Sequence, residues 1–193
     1  MKTFQQFAMV ISKVCECLNW IAEALFLTAF ITSIAARGWM QDILSRFLFE
    51  NGQGNAEISV FGFELNIMVD GSISMTAVSL LCVCALLMTF LEAMVFRNLY
   101  LILKTTMGKT SFSKGQTPFQ KDNVRMVREI GIFYIAMSVV GFVMSIICRL
   151  ILGTDATEIS VELGNILTGI ILLCLSETFS YGTLLQEDVE GLV

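Results

Sequence analysis

The sequence predicts an all-α membrane protein, a bundle of four transmembrane helices with a small extracytoplasmic β element. Of its 193 residues, 55% are hydrophobic and 15% are charged, whereas soluble domains carry about 25% charged residues. The apolar residues form four long runs, each sufficient to cross a hydrocarbon core about 30 Å thick. The net charge of -5 argues against direct binding to nucleic acid. An integral membrane protein is the class that remains.

The four runs define a single membrane domain over residues 1–193. A cleaved signal peptide is a poor alternative for the first run because Glu16 and Glu23 lie inside it. Between the runs, residues 38–73 are predicted to form an extracytoplasmic loop and residues 97–129 a cytoplasmic stalk. The predicted spans cover, in order, residues 14–36, 75–96, 130–152 and 163–181.

The distribution of positive charge predicts the orientation. Nine of the 12 Lys and Arg residues lie in the N-terminal segment or between the second and third spans. The remaining three, Arg37, Arg46 and Arg149, fall on the opposite side. Because short loops rich in Lys and Arg stay in the cytoplasm, both termini are predicted to be cytoplasmic.

The loop before the second span contains a strand pattern. Residues 57–67 alternate polar and apolar side chains and follow the turn-forming residues 51–55, which is typical of a strand or hairpin. Residues 158–162 repeat the same Ile-Ser-Val core. We expect the two segments to pair in one small sheet; the alternative is two unrelated loop segments.

The cytoplasmic stalk is predicted to contain two helices that continue from the membrane. Thr117, Pro118 and Gln120 have the order of a capping box with proline at the first helical position. A helix that starts there and runs through the third span has about 35 residues and a length of roughly 50 Å. The second span is expected to remain helical to about Met107.

Three cations, Lys121, Arg125 and Arg128, fall on one face of this stalk helix. One interpretation is orientation of the chain plus contact with the anionic lipid bilayer, at about 1 kcal/mol per residue. The other is docking of an acidic partner. That partner can be the protein's own C-terminal tail, which contains Glu187, Asp188 and Glu190.

Ionisable side chains inside the spans are the main candidates for a site because burying them in lipid is costly. Glu16, Asn19 and Glu23 share one face of the first span. With the predicted orientation, Glu16, Glu92 and Glu177 come from three helices at comparable depth in the cytoplasmic half.

Three interpretations of these carboxylates are open. They can be structural, either protonated or paired with Lys13, Arg97 or Arg128. They can bind a proton, a cation or a cationic lipophile in a transport cycle. They can also form the polar end of a pocket for a membrane-soluble ligand.

The residues that most cofactor and metal sites require are missing or badly placed. The sequence contains no His, so imidazole ligation of haem and most zinc sites are not expected. Its six Cys lie within or at the edge of the spans and have no Cys-x-x-Cys spacing, which favours a packing role. We therefore expect no cofactor, no metal site, no catalytic residue and no enzymatic activity.

Two stretches resemble the DUF 2975 family of uncharacterised four-span bacterial membrane proteins. One contains Pro118-Phe119, Asn123, Arg128 and Ile130-Gly131, and the other is Gly182–Asp188. Gln116 and Thr117 separate Gly115 from Pro118, and the chain ends Val-Glu-Gly-Leu-Val, which both depart from the family pattern.

The resemblance implies a location in the bacterial cytoplasmic membrane and a regulatory role. Members of the family are often encoded beside a small helix-turn-helix regulator of the Cro type. We therefore expect a membrane regulatory or sensor protein that controls such a transcription regulator through its cytoplasmic face. The alternative is a small proton- or cation-coupled transporter that uses the intramembrane glutamates.

Overall fold

A computed structural model describes residues 2–50, 57–69, 72–111 and 117–190. These residues form five helices and four short strands. The helices are α1 (Lys2–Ala35), α2 (Arg37–Glu50), α3 (Met75–Thr106), α4 (Lys121–Leu152) and α5 (Leu163–Glu190). The strands are β1 (Glu57–Val60), β2 (Phe63–Asn66), β3 (Met68–Val69) and β4 (Ser72–Ile73).

The predicted fold class is confirmed: the protein is an all-α four-helix bundle with a small β element. Helices α1, α3, α4 and α5 are each long and apolar enough to cross a membrane. In the most apolar 18-residue stretch of α3 half of the residues are buried, compared with 6% in the corresponding stretch of α1. Helix α3 therefore supplies much of the core, and α1 presents most of its apolar surface outwards, as lipid contact requires.

Both stalk helices are present within the described residues. Helix α3 continues beyond the predicted second span to Thr106, and α4 begins at Lys121 and continues unbroken through the third span. The 32 residues of α4 correspond to about 48 Å of helix at 1.5 Å per residue. The charged ends of both helices thus extend past a hydrocarbon core of about 30 Å.

Helix α2 occupies part of the segment 38–73, for which the sequence predicts a loop. It follows α1 after a bend at Ala36, where the backbone hydrogen bonds from Ala36 N–H to Thr32 and from Met40 N–H to Ala36 continue the helical pattern. Trp39, Ile43 and Phe47 recur every fourth residue and are exposed. That spacing was the available signal for a helix.

The hairpin prediction is confirmed, but the predicted sheet with residues 158–162 is wrong. Strands β1 and β2 pair with each other in antiparallel register. The turn between them, Phe61-Gly62, has φ of 51° and 81°, as a type I′ turn requires. Strands β3 and β4 form a second short hairpin, and the predicted turn at residues 51–55 lies outside the described residues.

The segment before α5 contacts β2 without forming a strand. The Asn66 N–H donates to the Ala156 carbonyl at 2.8 Å, and the Thr157 hydroxyl donates to the Glu64 carbonyl. Residues 158–162 have no strand conformation. One edge of β2 pairs with β1. These two hydrogen bonds occupy part of its other edge.

The predicted capping box at the start of α4 is wrong in its details. The Phe119 N–H donates to the Thr117 hydroxyl at 3.2 Å, two residues back rather than three. The Gln120 side-chain amide donates to the Thr117 carbonyl at 2.9 Å, whereas in a capping box the side-chain oxygen would accept from the Thr117 N–H. Residues 117–120 therefore form a turn before the helix, which begins at Lys121.

Helices α4 and α5 approach each other backbone to backbone at two glycines. A Cβ atom on Gly169 would lie 2.7 Å from the Gly131 carbonyl oxygen, and one on Gly131 would lie 2.9 Å from the Gly169 oxygen. Both distances are shorter than van der Waals contact. Small residues allow such close helix contacts in membranes, and here the two glycines come from different helices.

The chain divides into two compact units. One comprises Met1–Trp20, Leu91–Met137 and Leu163–Val193, and the other comprises Ile21–Phe90 and Ser138–Glu162. The first unit contains the stalk and α5. The second contains α2 and both hairpins, with α2 in contact with β4.

Replacement of either glycine by alanine should weaken the α4–α5 contact. We expect Gly131→Ala and Gly169→Ala each to cost about 1–3 kcal/mol, the range for overpacking in a close-packed interior. Thermal unfolding in detergent should show Tm lower by several degrees. Gly38→Ala is the matched control, because a Cβ there meets nothing within 4 Å. An unchanged Tm for both interface variants would contradict the contact.

Candidate functional site

A basic cavity of about 310 Å³ lies between α4 and α5 in the first unit. The three stalk cations line it from α4, and residues of α5 line the other side. No Asp or Glu belongs to the described lining, so its ionisable groups are all positive. The lining residues are Lys121, Val124, Arg125, Arg128, Ser180, Thr183 and Leu184. The prediction that the three cations share one face is confirmed.

Each cation of the cavity has one carboxylate partner outside the lining. Lys121 Nζ lies 2.9 Å from a Glu187 oxygen, and Arg128 Nη2 lies 2.9 Å from a Glu177 oxygen. These two pairs join α4 to α5. The third, between Arg125 Nε and Glu129 at 3.4 Å, lies within α4.

The C-terminal part of α5 also contacts the turn that precedes α4. The Thr117 hydroxyl donates to the Gln186 side-chain oxygen at 2.8 Å. The Phe119 ring packs on Gly182, where a Cβ would lie 2.6 Å from the ring. Its centroid lies 5.7 Å from that of Phe179. The two stretches that resemble the four-span bacterial family therefore meet in space.

The predicted tail residues differ in their contacts. Glu187 pairs with Lys121, which is the contact that docking of the protein's own tail requires. Asp188 is exposed and forms no ion pair with any described residue. The side chain of Glu190 lies outside the part of the structure that can be described.

Glu16 is buried and paired within its own helix. It is 7% exposed, and one of its oxygens accepts a hydrogen bond from Lys13 Nζ at 2.9 Å. The same Nζ lies 5.2 Å from the centre of the Tyr100 ring on α3, and Lys104 Nζ lies 5.5 Å from that centre. The structural interpretation, pairing with Lys13, therefore describes Glu16. The Asn19 amide donates to the Cys15 carbonyl at 3.1 Å.

Glu23 contacts α3 through a hydroxyl in the second unit. One of its carboxyl oxygens forms a hydrogen bond with Thr89 Oγ1, whose side chain is 2% exposed. The Thr89 hydroxyl also lies 2.8 Å from the Ala85 carbonyl. Sequence spacing placed Glu23 on a face with Glu16 but gave no signal for its partner, which lies 66 residues away.

Glu92 is the predicted intramembrane carboxylate that has neither a hydrogen bond nor an ion pair among the described residues. It is half-buried. By contrast, Glu177 pairs with Arg128. No hydrogen bond joins Glu16, Glu92 and Glu177 to one another in the described residues, so the predicted similarity of depth does not produce a shared carboxylate cluster.

The sequence reasoning missed a polar link between α3 and α4. Asn98 is 8% exposed and its amide donates to a Glu129 oxygen at 2.9 Å. The other Glu129 oxygen faces Arg125. In the sequence, Asn98 follows Arg97 and Glu129 follows Arg128. These neighbours suggested local pairing and gave no indication of a contact between the two helices.

Asn123 is a second residue whose surroundings the sequence did not predict. It is 1% exposed, and its amide donates to the Pro118 carbonyl at 2.9 Å. Its Oδ1 is buried and has no hydrogen-bond partner among the described residues. A buried acceptor in that state costs about 1–3 kcal/mol, so this side chain is a weak point at the start of α4.

A second cavity, of about 290 Å³, lies between α1 and α3 in the second unit. It is mostly apolar, with Arg37 at its charged end. Its lining residues are Phe30, Ile34, Arg37, Thr76, Ser79, Leu80 and Val83. None of the predicted carboxylates lines this cavity or the basic one, so neither cavity provides the predicted pocket with a carboxylate end.

Comparison with protein-family models finds no match to the chain. Comparisons with curated proteins and with solved structures also find no match. The resemblance to the DUF 2975 family, and the regulatory role that it implies, therefore stay predictions.

The bond between Glu23 and Thr89 should be measurable as an energetic coupling. In a double-mutant cycle of Glu23→Ala and Thr89→Ala, we expect an interaction of about 0.6–1.7 kcal/mol, as found for hydrogen bonds between membrane helices. Free energies of unfolding in detergent or bicelles provide the measurement.

The control cycle pairs Glu23→Ala with Thr28→Ala. Thr28 is exposed on the same helix, and its hydroxyl donates only to the Leu25 carbonyl at 2.8 Å. That cycle should be additive within error. Equal coupling in both cycles would show that the Glu23–Thr89 contact contributes nothing specific.

Proposed function

We propose that this chain is a non-enzymatic membrane regulatory or sensor protein that controls a small helix-turn-helix transcription regulator through its cytoplasmic face. The observation that supports the proposal is the ionic docking of α5 on the basic face of α4. The surface that an acidic partner would bind is the surface that Glu187 and Glu177 now occupy. Release of α5 would therefore expose a binding site.

The two ion pairs between α4 and α5 are weak, as a reversible switch requires. In the Lys121–Glu187 pair the two side chains are 74% and 48% exposed, and in the Arg128–Glu177 pair they are 49% and 71% exposed. Exposed pairs of this kind contribute about 0–1 kcal/mol each. A partner with modest preference for the released state would offset these two ion pairs, and the contact of Phe119 with Gly182 would have to open with them.

The acidic partner and α5 would compete for the same cations. Lys121, Arg125 and Arg128 offer a row of positive charge about two turns long. An acidic surface on the regulator would meet this row, and the membrane would hold the regulator away from DNA. This role would need the basic face and a position at the membrane, and it would need no catalytic group.

Charge reversal of the stalk should abolish recruitment of the regulator. We expect the triple change of Lys121, Arg125 and Arg128 to Glu to remove a co-expressed helix-turn-helix regulator of the Cro type from isolated membranes. The measurement is its fraction in the membrane pellet after co-expression. The change Glu177→Lys with Glu187→Lys should raise that fraction, because it releases α5 and leaves the cations in place.

Arg97→Glu is the charge-matched control for this experiment. Arg97 is exposed on α3 and does not line the basic cavity. Its reversal should leave recruitment unchanged. Full recruitment by the triple variant would reject the proposal.

One observation favours the transporter alternative. Glu92 is half-buried and has no hydrogen bond or ion pair with a described residue. If this carboxylate carries a proton through the transport cycle, Glu92→Gln should abolish proton-coupled flux in proteoliposomes. Glu64→Gln is the control, since Glu64 is exposed on β2, outside the spans. Equal flux in the wild type and Glu92→Gln would exclude this use of Glu92.

A further inference from the structure

We infer that the basic cavity between α4 and α5 is a binding site for a phosphate-bearing anion, and that the headgroup of an anionic phospholipid is the source favoured by its position. This deepens the proposed function by naming a ligand for the same surface. It rests on that function only for the regulatory meaning of binding.

The lining has the chemistry of a phosphate site. Its three ionisable side chains are cations, and its two hydroxyl residues, Ser180 and Thr183, face them from α5. The Thr183 hydroxyl donates to the Phe179 carbonyl at 2.9 Å, so Ser180 is the hydroxyl of the lining that would donate to a phosphate oxygen. Arginine and lysine are the side chains that bind phosphate most strongly in proteins.

The existing ion pairs leave the cations able to bind an anion. Each pair engages one nitrogen of Lys121, Arg125 or Arg128, while each of these head groups carries several N–H donors. The three carboxylates, Glu129, Glu177 and Glu187, lie outside the described lining of the cavity. A phosphate would therefore bind through the remaining N–H donors and compete with these carboxylates, which lie 2.9–3.4 Å from the cations, for the positive charge.

The position of the cavity favours a lipid. The residues that line it from α5 are within one helical turn of Tyr181. Tyr181 lies at the predicted end of the fourth span and is 65% exposed. Exposed tyrosines concentrate at the membrane–water interface. The apolar lining residues, Val124 and Leu184, suit the glycerol region of a lipid. Basic pockets between membrane helices on the cytoplasmic side are typical sites for anionic headgroups.

The volume is also suitable for a headgroup. A cavity of about 310 Å³ is at the lower end of the range of small-molecule sites, about 300–1,000 Å³. It accommodates a glycerol phosphate group but only part of a larger molecule. The acyl chains would then lie along the apolar outer surface of α5, where Leu184 and Leu185 are 54% and 50% exposed.

The test measures ligand binding by the purified full-length protein in detergent. Phosphatidylglycerol, phosphatidylcholine and soluble glycerol 3-phosphate are titrated separately, and the rise in Tm gives each apparent affinity. We expect saturable binding of phosphatidylglycerol and much weaker binding of phosphatidylcholine. Arg125→Gln should lower the affinity for phosphatidylglycerol about fivefold, the effect of one cation near the membrane surface.

Arg125 is the most informative position because its ion pair lies within α4, so the change keeps both α4–α5 pairs. Arg97→Gln is the control, with the same change in net charge at an exposed residue outside the cavity. Ser180→Glu should weaken binding by placing a carboxylate in the lining. Glu187→Gln should strengthen it by removing the competitor of Lys121.

The outcomes separate the sources and the proposals. Binding of glycerol 3-phosphate but not of phosphatidylglycerol, weakened by Arg125→Gln, would support the phosphate site and reject the lipid as its source. Equal affinities for Arg125→Gln and Arg97→Gln, or no saturable binding of either phosphate probe, would overturn the inference. The regulator is not present in this assay, so either result is independent of whether membranes recruit it.

Discussion

Every polar group within a membrane-spanning helix must find its partner inside the protein, because lipid offers none. Most Ser and Thr hydroxyls of the described helices meet this constraint locally by donating to a carbonyl three or four residues earlier. Ser12, Ser79 and Ser145 donate to the fourth carbonyl back at 2.8–2.9 Å. Carboxylates cannot use that acceptor unless they are protonated, so their partners determine which helices must be neighbours. The Glu177–Arg128 and Glu23–Thr89 contacts are of this kind.

The elements of the fold follow from local pattern, and the sequence was therefore a good guide to them. Continuous apolar runs predicted α1, α3, α4 and α5, and alternation predicted the β1–β2 hairpin. What the sequence did not predict depends on contacts across the fold. The partner of β1 is the adjacent β2, since a two-residue turn brings it there at low entropic cost. Residues 158–162 share its motif but lie about a hundred residues away.

The candidate site shows the same division between local and distant contacts. Helical spacing correctly placed Lys121, Arg125 and Arg128 on one face, and spacing within α1 put Lys13 within reach of Glu16. The choice of Glu177 and Glu187 as partners depends on how α4 meets α5. That geometry is set by the contact of Gly131 with Gly169 and by Phe119 on Gly182, where the missing side chain of glycine leaves no hydrophobic signal in the sequence.

Polar groups that have no partner in the packed helices are the best candidates for a functional role. Glu16 and Glu177 each have a cation at 2.9 Å, and their roles can be explained by stability and helix pairing. Within the described ranges, Glu92 has no such partner, and the Asn123 side-chain oxygen is buried at the start of α4 without a hydrogen-bond donor. The turn at residues 117–120, α5 and the basic cavity all adjoin that helix start. A ligand that moves α5 would change the surroundings of one end of α4, whereas an ion pathway would have to involve Glu92 on α3. Since the two mechanisms use different helices, the regulatory and transport proposals can be separated by experiment.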